Sequence, residues 1–328
     1  MASTLVAVDV GASRTRVCVG ADPTSFPGRQ DPLIRDIGSV RALEALLSDV
    51  RAGIDDEGEV HLSAGVAAPP VGGGLRVMTN WPEDRTISSD SLRGLGFDDV
   101  WLFNDLEASA HGLVAFLESD PPESQLISFG GAAVPAAGNR ALVVPGSGLG
   151  SAGVIDLGRR AAERWRVLPS EVGHTLASGT GAQDVLEAVA ARKGSAATWE
   201  DVVSGPGLEA LWVAIEPSHH DDPLSAPEIA MRAGLGDVRC QTALDYYYHF
   251  AARFSQVLTL SYLSFGGLFL AGGSTRSNAP LISEREFRSA FCDNERMGGV
   301  LAEIPVFLVL AEITLLGAWT AGWRALRR

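Results

Sequence analysis

Three apolar runs in this chain stop abruptly on glycine: Val8-Asp9-Val10-Gly11-Ala12-Ser13, Val144-Pro145-Gly146-Ser147-Gly148-Leu149-Gly150 and Leu268-Phe269-Leu270-Ala271-Gly272-Gly273. A fourth, Val100-Trp101-Leu102-Phe103, stops instead on Asn104-Asp105 and runs into a helical pattern. Short apolar runs bounded by turn residues read as buried strands. Strands alternating with helical segments confine the chain to an α/β architecture. The first two glycine turns offer backbone amides to phosphate oxygens, and a carboxylate at a strand end can take a proton. Together they are what moving a phosphoryl group onto a hydroxyl needs.

Each segment also has a plain structural reading. A glycine after a strand is often only a tight turn. In the functional reading, Gly11 lets the backbone approach a phosphate, Ser13 donates to it, and Asp9 holds a magnesium ion through water. The turn from Gly146 to Gly150 packs three glycines and a hydroxyl into a few residues, which is costly to order for packing alone. Asn104 with Glu107 three residues later reads as a capping arrangement that needs no chemistry. Leu168-Pro169-Ser170-Glu171-Val172-Gly173-His174 puts a carboxylate and an imidazole three apart, able to line a polar pocket or to satisfy each other.

The 328 residues suffice for two domains, and 46% hydrophobic against 20% charged content is that of a folded globular protein. A formal charge of −14 opposes a polynucleotide partner, and no basic patch offsets it. Cys18, Cys240 and Cys292 are scattered and odd in number, which suits neither a metal site nor a disulfide framework and fits a reducing cytoplasm. The N-terminus shows no basic region and no apolar core of a signal peptide. The long apolar stretch from Val300 to Trp323 is broken by Glu303, Pro305 and Glu312, so it reads as a buried strand followed by a core helix, not as a membrane span.

Along the chain, Leu5 to Val10 and Val17 to Gly20 read as a hairpin, Val40 to Val50 as a helix and Leu62 to Ala68 as a strand stopping at Pro69-Pro70. Leu92 to Asp98 reads as a connector, and Leu106, Ala110, Leu113, Val114 and Leu117 space a helix. Strands follow at Ala141 to Val144 and Ala152 to Ile155. Helices are expected at Asp184 to Ala191, Leu208 to Ile215, Pro227 to Ala233, Val238 to Leu263 and Ile313 to Arg328. No internal repeat is visible.

Taken in order, Asp9 to Thr15, Met78-Thr79-Asn80, Leu95-Gly96-Phe97, Phe103-Asn104-Asp105, Gly146 to Gly150, Pro169 to His174, Ser204-Gly205-Pro206-Gly207-Leu208 and Phe265 to Gly273 resemble the bacterial glucokinase family. That family sits within the hexokinase, actin and heat-shock ATPase superfamily, and the resemblance runs almost end to end. It implies that Asp105 is the general base, that Asn104 binds sugar hydroxyls beside it, and that Glu171, His174 and Glu200 contact the pyranose. Asp9, Gly11 and Ser13 look like its first phosphate segment, Gly146, Ser147 and Gly148 like its second, and Gly272 and Gly273 like its adenosine segment. Departures are Ala12 and Arg14 in the first phosphate segment and Ser170 and Val172 where the family usually has glycine, with Val172 expected to narrow the sugar pocket. Ala311-Glu312-Ile313-Thr314 replaces an asparagine-proline-glycine-like turn.

The expectation is therefore a two-domain α/β, actin-like ATPase (ribonuclease H-like) fold with a ligand cleft between domains. Residues 1–105, completed by a C-terminal helix at about 313–328, would form the smaller domain and 106–312 the larger. The expected activity is phosphorylation of glucose at its 6-hydroxyl with ATP and Mg2+ as cofactors. Glucose or another hexose would be the partner, with no nucleic acid and no membrane, and a homodimer is an assembly open to it. The rival is a sugar-binding or regulatory homologue with little turnover. A repressor is disfavoured, since the first phosphate segment starts at Asp9 with no helix-turn-helix ahead of it.

Overall fold

The computed structural model describes residues 3–12, 14–26, 32–55, 58–68, 72, 74–78, 81–119, 121–130, 135–158, 163–215 and 224–327. Ser13, Pro69, Pro70, Thr79 and Asn80, singled out above, lie outside them. In chain order the elements are β1 (Ser3–Val10), β2 (Arg14–Gly20), β3 (Leu33–Asp36), α1 (Val40–Ala52), β4 (Glu59–Val66), β5 (Leu75–Val77), β6 (Thr86–Ser88), α2 (Ser89–Arg93), β7 (Val100–Asn104) and α3 (Asp105–Glu118). There follow β8 (Leu126–Ser128), β9 (Arg140–Pro145), β10 (Leu149–Asp156), β11 (Trp165–Ser170), α4 (Gln183–Lys193), α5 (Gly205–Ile215), α6 (Ala226–Gly234) and α7 (Val238–Tyr262). The chain closes with β12 (Gly267–Leu270), α8 (Gly273–Asn278), α9 (Glu284–Cys292), α10 (Gly298–Glu303), β13 (Val306–Val309) and α11 (Ile313–Ala325).

Contacts divide the chain into two units, Met1–Pro121 with Glu312–Arg328, and Pro122–Ala311. The boundary expected at 105/106 falls earlier than this division, because α3 packs against α11 and so stays with the first unit. The crossing of these helices is close. A Cβ on Gly112 would overlap the Ile313 carbonyl, one on Gly317 would overlap the Ala108 carbonyl, and the hydroxyls of Ser109 and Thr314 meet at 2.8 Å. The glycines are what let the two backbones touch.

The sheet of the first unit runs β3-β2-β1-β4-β7. Its β1-β2 and β2-β3 pairs are antiparallel, while β1-β4 and β4-β7 are parallel. Val6, Val8, Leu62 and Val66 are fully buried, as central strands covered on both faces require. The core of this unit gathers α1 and the strands around Leu43, Leu47, Trp81 and Phe97, and α11 covers the other face through Leu315, Ala318 and Trp319.

The second unit repeats that order. Its sheet runs β11-β10-β9-β12-β13-β8, with β9-β10 and β10-β11 antiparallel, β9-β12 and β12-β13 parallel, and β8 added antiparallel at the edge. The sequence shows no repeat because the duplication is one of topology: only the strand order and the apolar character are shared. Helix α7, begun by Asp237 accepting from the amides of Arg239 and Cys240, lays Ala243, Phe250, Phe254 and Leu258 into the core.

Most expected elements are present, with longer or shifted ends; β4 begins before Leu62 and ends at Val66. Three findings differ. The connector beginning at Leu92 includes the end of α2, which Ser88 caps. Strand β11 had no clear sequence signal, because it is an edge strand whose residues other than Trp165 are mostly exposed. The run from Val300 starts inside α10, and the buried strand and core helix follow it as β13 and α11. Among the described residues, no helix is long and apolar enough to cross a membrane.

Candidate active site

In the first unit the candidate groups stand at one edge of the sheet. The ladders pair Asp9 with Gly65 and Gly65 with Phe103, so Asp9 and the β7 end lie two strand spacings, about 10 Å, apart. After Asp9 the chain turns at Gly11, whose amide donates to the Arg14 carbonyl at 3.0 Å; a Cβ there would meet that oxygen at 2.9 Å. Trp81 pins the turn by donating to the Ala12 carbonyl at 3.0 Å. Arg14 points away, exposed beside Asp36. Asp9 is 6% exposed. Its Oδ2 accepts from Arg16 at 2.8 Å, and the other end of that guanidinium reaches Glu312 at 3.2 Å. Burial pushes the Asp9 carboxyl up to about 6 against the pull of Arg16, and the Glu312 carboxylate adds to the rise. Arg16, Glu312 and Trp81 were not foreseen as site residues; the signal for Arg16 lay in the hairpin register, which sets it directly opposite Asp9.

Asn104 caps α3. Its side-chain oxygen accepts from the Leu106 amide at 2.8 Å, its amide nitrogen donates to the Ala68 carbonyl at 3.3 Å, and Glu107 takes up the Asn104 backbone N–H. This is the capping arrangement foreseen from the spacing. Asp105, half-buried at the first turn, places Oδ1 3.0 Å from the Leu106 amide.

The second unit brings Glu200 to Glu171 and His174, which are three apart in the chain. His174 lies with Nε2 3.6 Å from Glu171 and Nδ1 3.8 Å from Glu200, the imidazole and Glu171 being largely exposed. A single 3-10 turn, Val172–His174, follows β11 and presents them. Glu200 is held from behind, its Oε2 accepting from the Leu149 amide at 2.8 Å. Glycine at 148 leaves room for that approach, since a Cβ there would stand 2.7 Å from the same oxygen and the Glu200 side chain would have to shift. The Gly146–Gly148 turn is closed by a 2.8 Å bond from the Gly146 amide to the Gly148 carbonyl, and the Gly146 carbonyl accepts from Gly205 at 2.8 Å. Ser147 is exposed at its tip. Val172, expected to narrow a sugar pocket, is half-buried and packs on one side against the core of this unit.

Gly272 enters α8 with a φ of 93°, in the region glycine favours, and a Cβ would stand 2.9 Å from Val144. The Gly272–Gly273 turn is thus seated beside the strand that carries the Gly146 turn. Next to Gly273 and Gly205 opens a cavity of about 400 Å³, walled mainly by Leu208, Pro227, Met231 and Leu281, with Tyr247, Asn278 and three serines as its polar groups. This cavity was not foreseen, because helices far apart in sequence build it.

The chain is similar to known proteins over most of its length. It is 29% identical to a bifunctional protein glk of Burkholderia thailandensis over 93% of the chain; the chain spans 46% of that relative. It is 26% identical to a glucokinase of Rhizobium meliloti, covering 95% of the chain and 90% of the relative. Among solved structures, glucokinase from Balamuthia mandrillaris in complex with glucose superposes with a TM-score of 0.80 at 23% identity, covering 98% of this chain and 94% of that one. The architecture is accordingly the two-domain actin-like α/β fold. The glucokinase family profile matches residues 6–324, so that all three glycine turns, Asp105 at the capped start of α3 and the Glu171-His174-Glu200 cluster fall inside the match, and the chain belongs to the glucokinase family.

Proposed function

We propose that this protein transfers the γ-phosphoryl group of ATP to the 6-hydroxyl of glucose, with Asp105 as the general base. The observation that carries this is the division of labour at the start of α3. Asn104 and Glu107 make the capping contacts, and the contact of Asp105 Oδ1 with the Leu106 amide is one that an asparagine would keep, so the negative charge of Asp105 is not what caps the helix. That carboxylate accepts the hydroxyl proton as the sugar oxygen bonds to the γ-phosphorus and the bond from phosphorus to the ADP oxygen breaks. Asn104, Glu171, His174 and Glu200 hold sugar hydroxyls; Glu200 keeps Oε1 for this while Oε2 is fixed by Leu149. The turns at Gly11 and Gly146–Gly148, the second with Ser147, would face the phosphates, and Gly272 and Gly273 would border the nucleoside.

Magnesium fits these residues. A hard cation that retains its waters and binds substrate phosphates asks for only one or two protein carboxylates. Asp9, at a strand end with Oδ2 engaged by Arg16, is a carboxylate able to hold the ion through water. Bound there, the ion would offset phosphate charge.

We further propose a cytoplasmic enzyme that acts on small molecules, without nucleic acid or membrane, and a homodimer as the assembly to test by sedimentation. The deciding experiment is a coupled assay across several hexoses with ATP, ADP and polyphosphate as donors. Turnover is expected with glucose and ATP. Sugar binding without turnover of any hexose would mark a regulatory homologue instead, the reading that Ala12 in the first phosphate turn favours.

A further inference from the structure

We infer that the small ribbon of β5 and β6 is a positioning element, which sets the first phosphate turn through Trp81 and the Asp105 end of β7 through Arg76. This rests on the kinase reading above and deepens it by naming two residues that act through the groups they hold. Strands β5 and β6 pair antiparallel as a sheet of their own, Leu75 opposite Ser88 and Val77 opposite Thr86. A two-stranded ribbon is marginal by itself, so its position is decided by what it is tied to. One tie is to the start of α1. There Asp84, at a φ of 47° that residues other than glycine rarely adopt, takes the Val40 amide on its carbonyl and the Arg41 amide on its carboxylate, both at 2.8 Å. Two further ties run to the two ends of the candidate site.

Trp81, only 2% exposed, donates from its indole nitrogen to the Ala12 carbonyl at 3.0 Å. The Gly11 amide is engaged by the Arg14 carbonyl, so the turn would receive a phosphate with amides that follow Gly11. Because a peptide unit is planar, holding the Ala12 carbonyl fixes the orientation of that whole unit. Donors oriented in advance stabilise developing charge without having to turn at the moment of reaction. Arg76 serves the other end. Strand β7 is the edge of its sheet, and Arg76 Nη2 donates to the Leu102 carbonyl on it. The same guanidinium attracts Glu107, which takes up the Asn104 N–H. Strand end and helix start, with Asp105 where they join, are thus held by one side chain, and misplacing a reacting group by about 1 Å costs on the order of 10²-fold in rate.

The test compares Trp81→Phe, which keeps a buried ring but loses the donor, with Arg76→Met, which keeps length but loses charge and donors. Calorimetry on the full chain reads affinity for β,γ-imido ATP with magnesium and for glucose, and a coupled assay reads kcat and KM. Trp81→Phe should weaken the nucleotide analogue by roughly 5- to 10-fold and leave glucose within about twofold. Arg76→Met should do the reverse, leaving the analogue within about twofold, weakening glucose, and lowering kcat by roughly 10- to 100-fold. Leu47→Val, in the same core as Trp81, should lower the thermal midpoint and move neither ligand, which separates positioning from a softened core. Should Trp81→Phe fail to fold by circular dichroism, Trp81→Met, equally without a donor, takes its place. A folded Trp81 variant that binds the analogue like the parent, or weakens both ligands alike, overturns the proposal, as does Arg76→Met at the parent's kcat. A parent that binds neither ligand and turns over no hexose overturns the kinase reading itself, which is a different result.

Discussion

At the scale of single residues, the site mixes groups whose side chains are needed for structure with groups whose side chains are not. Asp105→Asn separates them. Asparagine keeps the size and local hydrogen bonding of aspartate, so the thermal midpoint should barely change, while turnover should fall by roughly 10²- to 10⁴-fold if the carboxylate takes the proton. A folded variant working within a few-fold of the parent would remove the general base proposed here. Asp9 makes a second, pH-dependent case. Its folded pKa, about 6, lies above the ordinary 3.8, so the folded state holds this proton more tightly than the unfolded chain does. Stability from this group is therefore greatest below about pH 4 and declines as pH rises to about 6. Compared with Asp9→Asn across that window, the parent should lose about 2–3 kcal/mol relative to the variant, since each tenfold difference in proton affinity is worth about 1.4 kcal/mol. Parallel profiles of urea midpoint against pH would show that Asp9 titrates normally.

Elements matter here chiefly because they aim residues. Helix α3 carries Asp105, and α11 sets where α3 lies, through a crossing so tight that Gly112 and Gly317 admit no Cβ. Gly317→Ala should force the helices apart and cost about 1–3 kcal/mol in urea denaturation, with a drop in kcat as the carboxylate shifts. An unchanged midpoint would mean that the crossing relaxes freely. The strand ends act similarly. The parallel register of β1, β4 and β7 puts Asp9 and Asn104 on one edge although their wide separation in sequence would allow many arrangements, whereas Arg16 reaches Asp9 simply because β2 folds back beside β1.

The whole molecule is two units of one strand order, each with its own core. The cavity beside Gly273, which the kinase reading gives to the nucleoside, belongs entirely to the second. Hydrogen exchange with a non-hydrolysable ATP analogue should therefore slow amides of α5, α6 and α8 while leaving α1 and β3 of the first unit unchanged. Equal protection of α1 would place the base elsewhere.

Several features were legible in the residues themselves. The strands of both cores read directly from their valine and leucine runs, because a strand covered on two faces has to be apolar throughout. The cap at Asn104 read from a spacing of three, since that interaction is local. Glu171 and His174, three apart, were likewise paired by proximity in the chain. Folding alone brought Glu200 to His174, Glu312 to Arg16, and Asn278 to a cavity whose walls come from several helices. It also packed Val172 against the core and left Arg14 in solvent. The physical reason is the same in each instance: caps, turns and periodicity are interactions between near neighbours and are written in order along the chain, whereas ion pairs across a sheet and the lining of a cavity depend on which elements pack together, and no local pattern encodes that.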